Sequence, residues 1–136
     1  MIEKEMKEKL IHEAILARAH SYCPYSGFAV GAAVLCDSGK TYRGTNVENA
    51  SYGLTNCAER TAVFTAVSKG ERNILAVAIV GGPCGKKAAE ICPPCGSCRQ
   101  VLSEFGGPDM IVLLGTEIGE CVERTLGELL PDTFKL

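Results

Sequence analysis

The sequence lacks the features that mark several large classes of protein. Its 14 basic and 16 acidic residues give a formal charge of -2, so it has no excess of positive charge to hold the phosphate backbone of a nucleic acid. No apolar run approaches the length needed to span a membrane, and residues 1–9 are too charged for the apolar part of a signal peptide. We therefore expect a cytoplasmic protein that binds neither nucleic acid nor membranes and takes a small ligand.

Linkers and low-complexity stretches are also missing. The 136 residues, 46% of them hydrophobic, suffice for one core of ordinary size and leave no room for a second domain. We predict a single domain over residues 1–136 and find no internal repeat within it.

Apolar residues recur along the chain either at helical spacing or in short strand-like runs. Helical spacing predicts helices at residues 4–20, 57–68, 95–105 and 126–130. Strand-like runs are found at residues 28–36, 41–46, 74–80 and 110–114. The first two runs flank a turn and predict a β-hairpin. Together these elements predict a three-layer α/β/α fold, with a mixed five-stranded sheet, helices on both faces, and helical crossovers joining the third to fifth strands.

Cysteine is abundant in this short chain, with eight residues, whereas histidine is scarce, with two. In a reducing cytosol such cysteines bind metals or act in catalysis rather than forming a disulfide framework. Cys92, Cys95 and Cys98 follow one another at intervals of three, and Cys57 stands far upstream beside Glu59. The isolated thiols are expected to be small buried hydrophobes or incidental groups. Neither histidine has metal-ligand spacing with the cysteines.

The segment Pro94-Cys95-Gly96-Ser97-Cys98 places two thiols three residues apart at the start of a predicted helix. There they can occupy adjacent corners of a zinc tetrahedron, and the positive end of the helix dipole favours their thiolate forms. Cys57, at another predicted helix start, is the candidate third ligand. Three protein ligands leave one corner for water, which is typical of a catalytic zinc site. Glu59 is close enough to reach that water and shuttle protons.

Two half-motifs, TNCAER at residues 55–60 and PCGSCRQ at residues 94–100, resemble those of the cytidine deaminase family in its small homotetrameric form. The resemblance continues in PYSGFAVGAA at 24–33, GTNVENA at 44–50 and ELLP at 128–131, so it covers nearly the whole chain. It implies one Zn²⁺ per chain, a homotetramer whose sites are completed by neighbouring subunits, and hydrolytic deamination. The implied reaction converts cytidine and 2′-deoxycytidine to uridine and 2′-deoxyuridine with release of ammonia, a step of pyrimidine salvage.

The same resemblance implies roles for substrate-binding residues. Phe28, Asn46 and Glu48 match the family positions that stack on the pyrimidine and hydrogen-bond the ribose 3′-hydroxyl. Ala58 matches a residue whose backbone contacts the base. Phe134 resembles the aromatic residue that reaches into a neighbouring subunit's site. An amide and a carboxylate at alternate positions of a strand also suit a sugar hydroxyl on chemical grounds alone.

Three thiolates on Zn²⁺ leave a net charge of -1, which weakens the metal as a Lewis acid. Arg60, three residues after Cys57, can donate hydrogen bonds to ligand sulfur and offset that charge, a role that the resemblance also implies. Arg99 is a second candidate for the same task. In the implied mechanism, zinc-bound hydroxide attacks C4 of cytosine, and Glu59 carries protons from water to N3 and then to the leaving amine.

Other interpretations of the cysteines stay open. A closed structural zinc site without activity could use Cys57 and Cys92 together with Cys95 and Cys98. Cys92-Pro93-Pro94-Cys95 also has the C-x-x-C spacing, and two thiols at that spacing can bind a metal or cycle as a redox pair.

Other substrates and other roles for the substrate-binding residues also stay open. A nucleoside antibiotic could replace cytidine, whereas an adenosine in tRNA is disfavoured by the missing basic face. Phe28 could simply be a core residue, Phe134 could be an ordinary apolar residue at the chain end, and Glu48 could be a solvated acid.

Overall fold

The computed structural model describes residues 2–136, which form four α-helices, five strands and one 3₁₀ turn. The helices are α1 (Lys4–Arg18), α2 (Ala58–Ser68), α3 (Gly96–Phe105) and α4 (Leu126–Leu129). The 3₁₀ turn, Tyr52–Leu54, precedes α2. Over the described residues 2–136, no helix is both long and apolar enough to cross a lipid bilayer.

The strands form one mixed sheet with the order β2-β1-β3-β4-β5. They are β1 (Phe28–Cys36), β2 (Thr41–Thr45), β3 (Ile74–Pro83), β4 (Ile111–Gly115) and β5 (Cys121–Thr125). β1 runs antiparallel to β2 and β3, β3 and β4 are parallel, and β4 and β5 are antiparallel. The parallel pair needs a crossover, which α3 supplies.

Alternate residues of the strands belong to two separate hydrophobic clusters. Ala33 and Leu35 of β1 pack with α1 on one face of the sheet. Ala32 and Val34 pack with α2, α3 and α4 on the other. Because successive strand side chains point to opposite faces, the sheet is buried on both sides. The predicted three-layer α/β/α fold with a mixed five-stranded sheet is confirmed.

The predicted helical crossover between the fourth and fifth strands is wrong. β4 and β5 form an antiparallel hairpin, closed by a short turn in which Thr116 N donates to Glu120 O at 2.9 Å. The fifth strand, with the sequence CVERT, lies at the sheet edge and is largely exposed. Its charged residues therefore carry no apolar pattern that would distinguish it from a loop.

Two glycines bring helices into direct contact with the sheet. A Cβ on Gly31 of β1 would lie 2.0 Å from the carbonyl oxygen of Ala14 in α1, and one on Gly44 of β2 would lie 2.2 Å from the amide nitrogen of Ala62 in α2. Neither position can hold a side chain without moving a helix. The Gly44 contact holds α2, whose first turn carries Glu59, close against the sheet.

Arg18, the last residue of α1, fixes the segment between β3 and α3. Its guanidinium donates to the carbonyl oxygens of Ala29 at 2.8 Å, Pro83 at 2.8 Å and Lys86 at 2.9 Å, and to a carboxylate oxygen of Glu117 at 2.7 Å. The side chains of the ion pair are only 10% and 20% exposed. The chain that leads from β3 to the cysteine motif is thus held by one largely buried cation.

Replacement of Arg18 by Met should lower the free energy of unfolding by about 3 kcal/mol, because it removes the cationic partner of a largely buried carboxylate and one hydrogen-bond donor from each of three carbonyls. The matched control is Lys4→Met, which breaks the exposed Lys4–Glu8 pair and should cost no more than about 0.5 kcal/mol. Urea unfolding at fixed protein concentration measures both. Equal midpoints for the two variants would contradict the assigned role of Arg18.

Candidate metal centre and active-site cleft

Three cysteine sulfurs converge where two helices begin. Cys57 is the N-cap residue of α2, Cys95 is the N-cap residue of α3, and Cys98 lies in the first turn of α3. The sulfur of Cys95 is 3.9 Å from that of Cys57 and 3.3 Å from that of Cys98. All three sulfurs lie within 4.8 Å of one another. The structure therefore brings together the three ligands predicted from the sequence.

The donor set fits a tetrahedral zinc ion. Zn–S bonds of about 2.3 Å at tetrahedral angles place sulfurs roughly 3.8 Å apart, close to the separations observed here. Cys98 is buried, Cys57 is half-buried and Cys95 is exposed, so the cluster is enclosed on one side and accessible on the other. Three thiolates with an accessible side match an open site better than a closed one.

Arg60 lies against the cluster as its spacing predicts. Its Nη2 donates to the sulfur of Cys57 at 3.3 Å, and its buried Nε has no hydrogen-bond partner among residues 2–136. The hydrogen bond from the Cys98 thiol, followed by that from the Arg60 guanidinium, lowers the pKa of Cys57 to about 5. Both hydrogen bonds favour the thiolate form of Cys57, which is the form that binds a metal.

Arg99 does not share this task. Its Nε donates to the carbonyl oxygen of Pro94 at 3.0 Å, and its Nη1 donates to that of Leu129 at 2.7 Å. The expectation that Arg99 offsets the charge of the thiolates is wrong, because its guanidinium is committed to backbone carbonyls.

Cys92 stays outside the metal cluster. Over the described residues, the cysteines close enough to share an ion are Cys57, Cys95 and Cys98. Cys92 instead packs on β3, where a Cβ on Gly81 would lie 3.0 Å from its sulfur. Burial raises the pKa of the Cys92 thiol to about 11, so it stays protonated. The closed four-thiol site has no support in this geometry.

Glu59 is a buried acid in the first turn of α2, and it is 4% exposed. Burial, with a smaller contribution from the negative charge on Cys57, raises the pKa of its carboxyl group from 4.5 to about 7. A carboxyl group with this pKa can both accept and donate a proton near neutral pH. It lines the same cleft as Cys57 and Cys95.

The cleft has a volume of about 320 Å³. Cys57, Ala58 and Glu59, at the start of α2, line it together with Phe28, the first residue of β1, and Asn46 and Glu48, which follow β2. Its size suits a small ligand rather than a polymer. The sequence did not indicate Ser26, Tyr52 or Asn56, which also line it.

Phe28 is not a core residue, since its side chain is 40% exposed and lines the cleft. Asn46 holds its backbone in place, because Nδ2 of Asn46 donates to the carbonyl oxygen of Phe28 at 2.8 Å. The Oδ1 atom accepts from the amide of Val30 at 3.0 Å and from the hydroxyl of Ser21. With both lone pairs of Oδ1 used, Asn46 has one N–H left to offer a ligand.

Glu48 is likewise engaged by the protein rather than freely solvated. Its Oε1 accepts from the amides of Tyr25 at 2.9 Å and Ser26 at 3.1 Å, and its Oε2 accepts from the Ser26 hydroxyl. The Ser26 hydroxyl lowers the pKa of Glu48. About one acceptor position remains on Oε2 for a ligand. The PYSG turn at residues 24–27 thus orients a cleft residue.

Phe134 lies away from this cleft. Its side chain is 67% exposed, and its carbonyl oxygen accepts from Nε2 of Gln100 in α3 at 3.2 Å. The residue does not line the cleft of its own chain. Its contribution to a neighbouring subunit stays a prediction.

Comparison with known proteins identifies the class to which this fold and site belong. A family model described as the cytidine and deoxycytidylate deaminase zinc-binding region matches residues 4–114. A cytidine deaminase from Halalkalibacterium halodurans is 52% identical over 128 residues, which are 94% of this chain and 93% of that protein. A cytidine deaminase from Mycobacterium tuberculosis is 46% identical over 123 residues, or 90% and 85% of the two chains.

A solved structure agrees with these sequence relatives. The crystal structure of cytidine deaminase from Burkholderia pseudomallei has a TM-score of 0.85 and 46% identity, and the match covers 93% of this chain and 98% of that one. The fold and the thiol cluster thus define a protein of the zinc deaminase class. The chain belongs to the cytidine and deoxycytidylate deaminase family.

The three-thiol cluster predicts which cysteines are needed to hold a metal. Cys95→Ala should lose bound zinc, whereas Cys92→Ala should keep one zinc per chain, because its sulfur lies outside the cluster. Elemental analysis of the purified, dialysed proteins gives the ratio of zinc to protein. Loss of zinc from Cys92→Ala to the extent seen in Cys95→Ala would contradict the three-ligand site.

The burial of Glu59 predicts that, in protein stripped of metal, this residue lowers the free energy of unfolding by an amount that depends on pH. Its pKa is higher in the folded chain than in the unfolded one, so the folded chain binds the extra proton and loses stability as the pH rises from 4.5 through 7. Glu59→Gln removes this cost. The stability of the variant relative to the parent should therefore grow by about 2.5 kcal/mol between roughly pH 5 and pH 8.

Urea unfolding in chelator and reductant at the two pH values measures this difference. A relative stability that is the same at both pH values would mean that Glu59 is not desolvated as described.

Proposed function

We propose that this protein catalyses the hydrolytic deamination of cytidine and 2′-deoxycytidine to uridine and 2′-deoxyuridine, with release of ammonia. The observation that carries the proposal is Glu59, a buried carboxyl group with a near-neutral pKa in the same cleft as the cluster of metal-binding thiols. The relatives that match over nearly the whole chain bear the name cytidine deaminase. We also propose that residues 1–136 form one catalytic domain.

Cys57, Cys95 and Cys98 would hold a single Zn²⁺, and Arg60 would draw negative charge from the sulfur of Cys57. When bound, the metal supplies a Lewis acid that makes water a nucleophile near neutral pH. Reduced thiols are needed for this ligand set, which supports a cytoplasmic location.

Glu59 would carry every proton of the reaction. Its carboxylate accepts a proton from the attacking water, and the resulting carboxyl group donates that proton to N3 of the base as oxygen adds to C4. It then accepts the proton of the new C4 hydroxyl and donates it to the amino group on C4. The C–N bond breaks, ammonia leaves and a carbonyl remains at C4. One water is consumed for each ammonia released, and Glu59 ends as it began.

Asn46 and Glu48 would bind a ribose hydroxyl in complementary ways. The free N–H of Asn46 can donate to the hydroxyl oxygen, while the remaining acceptor position of Glu48 can receive the hydroxyl hydrogen. A single hydroxyl group can satisfy both residues at once. The exposed ring of Phe28 would stack on the pyrimidine, and the backbone of Ala58 would contact the base.

We also propose that the protein is a homotetramer in which Phe134 enters a neighbouring subunit's cleft. Two features of the chain support this. The ring of Phe134 is exposed and has no place in its own chain's cleft. Tyr52, which lines the cleft, is 88% exposed, so the cleft wall is left uncovered by its own chain.

Purified protein should release ammonia from cytidine and 2′-deoxycytidine but not from adenosine. A zinc chelator should abolish release, because the nucleophile depends on the metal. The matched variant Glu59→Gln should keep its zinc. Its rate of ammonia release should fall by well over the roughly 10²–10⁴-fold that is typical when one proton-transfer group is lost. An enzyme-coupled ammonia assay over a panel of amino-nucleosides, which includes cytosine-nucleoside antibiotics, measures each rate.

Three outcomes would defeat parts of this proposal. No release from either cytosine nucleoside defeats the function. Release from an antibiotic alone assigns a different substrate. Near-normal turnover by zinc-loaded Glu59→Gln removes the proton shuttle.

A further inference from the structure

Arg99 occupies a position next to the metal ligands without touching sulfur. It follows Cys98 in the first turn of α3 and is half-buried. Its backbone amide donates to the carbonyl oxygen of Cys95 at 3.0 Å, and its Nε donates to that of Pro94 at 3.0 Å. One residue therefore holds two successive carbonyls, which flank the Cα atom of Cys95.

The segment before Cys95 has few means of fixing itself. Residues 91–95 form no regular secondary structure, and two successive prolines, Pro93 and Pro94, have no backbone N–H to donate. Pro94 is nevertheless buried, so the orientation of its carbonyl group depends on a donor from elsewhere. The guanidinium of Arg99 is that donor. The direction of this peptide sets where the side chain of Cys95, the exposed member of the cluster, begins.

The second arm of the guanidinium reaches the end of α4. Its Nη1 donates at 2.7 Å to the carbonyl oxygen of Leu129, the last residue of that helix, where carbonyls have no partner within the helix. The N-terminus of α4 is held separately by a capping box between Thr125 and Glu128. Arg99 therefore ties the ligand loop to a short helix whose other end is already fixed.

Further along α3, two more contacts hold the end of the chain. Gln100 Nε2 donates to the carbonyl oxygen of Phe134 at 3.2 Å, and Lys135 Nζ donates to that of Ser103 at 2.7 Å. These contacts fix the tail to α3 but do not involve the loop before Cys95. They supply a matched control for the effect of Arg99.

We propose that Arg99 is a positioning residue for the metal site, which holds Cys95 in its ligand position by bracing the Pro94 carbonyl against the end of α4. The inference rests on the proposed metal centre but not on the identity of the nucleoside. Lysine cannot replace arginine here, because its single ammonium group lacks the planar fork whose separate nitrogens reach the two carbonyls.

Zinc release tests this role at a temperature where circular dichroism shows every variant to be folded. Zinc-loaded protein is mixed with excess 4-(2-pyridylazo)resorcinol, and the rate of colour formation is recorded. Arg99→Lys should release zinc at least about tenfold faster than the parent, as is usual when a residue that orients a ligand is lost. Lys135→Ala, which frees the tail and leaves Pro94 braced, should release zinc within about twofold of the parent rate.

Release from Arg99→Lys at the parent rate would overturn the proposal, and so would equal acceleration in Lys135→Ala. If Arg99→Lys does not fold, Arg99→Gln is measured in its place. Failure of both to fold also counts against the proposal, because the role would then be structural. A parent protein that binds no zinc defeats the proposed function instead, so the two failures are distinguishable.

Discussion

The site depends on offsetting the negative charge that three neighbouring thiolates carry when they bind a metal. The three sulfurs lie within 4.8 Å of one another, so they repel one another once all three are ionised, and the binding of a cation between them has to offset that repulsion. Two helix N-termini meet at this point, since Cys57 caps α2 and Cys95 caps α3, and both dipoles favour anions there. Arg60 adds a full positive charge against the sulfur of Cys57.

The chemistry of Glu59 follows from the same arrangement. The start of α2 carries the ligand Cys57 at its N-cap and the acid Glu59 and the cation Arg60 in its first turn, so the packing that fixes one fixes all three. Gly44 makes that packing possible, because only a residue without a side chain lets β2 approach the helix so closely. Burial then gives Glu59 a pKa close to the pH at which it has to exchange protons.

The sequence predicted those features that depend on local spacing. The layered fold follows from helical spacing and strand-like runs, the Cys95–Cys98 pair and the placement of Arg60 from intervals of three residues, and the candidacy of Cys57 from its place at a helix start. Strand β5 escaped prediction because an exposed, charged edge strand carries no apolar alternation. The exclusion of Cys92 depends on its packing over Gly81, a contact between segments that spacing does not reveal.

Side-chain partners were harder to predict than positions. Arg99 has the spacing of a residue that could contact ligand sulfur, yet its acceptors are two carbonyls, one of them 30 residues away. Asn46 and Glu48 are cleft residues as expected, but most of their hydrogen bonds hold the start of β1 and the turn before it in place. How much capacity remains for a ligand can be counted only once the neighbours are known.

The central claim is an open zinc site of three thiolates, and X-ray absorption at the zinc edge of the loaded protein tests it most directly. The account predicts three sulfur ligands at about 2.3 Å and one oxygen or nitrogen ligand at about 2.0 Å. Four sulfur ligands, with no lighter atom in the coordination shell, would show a closed structural site and contradict it.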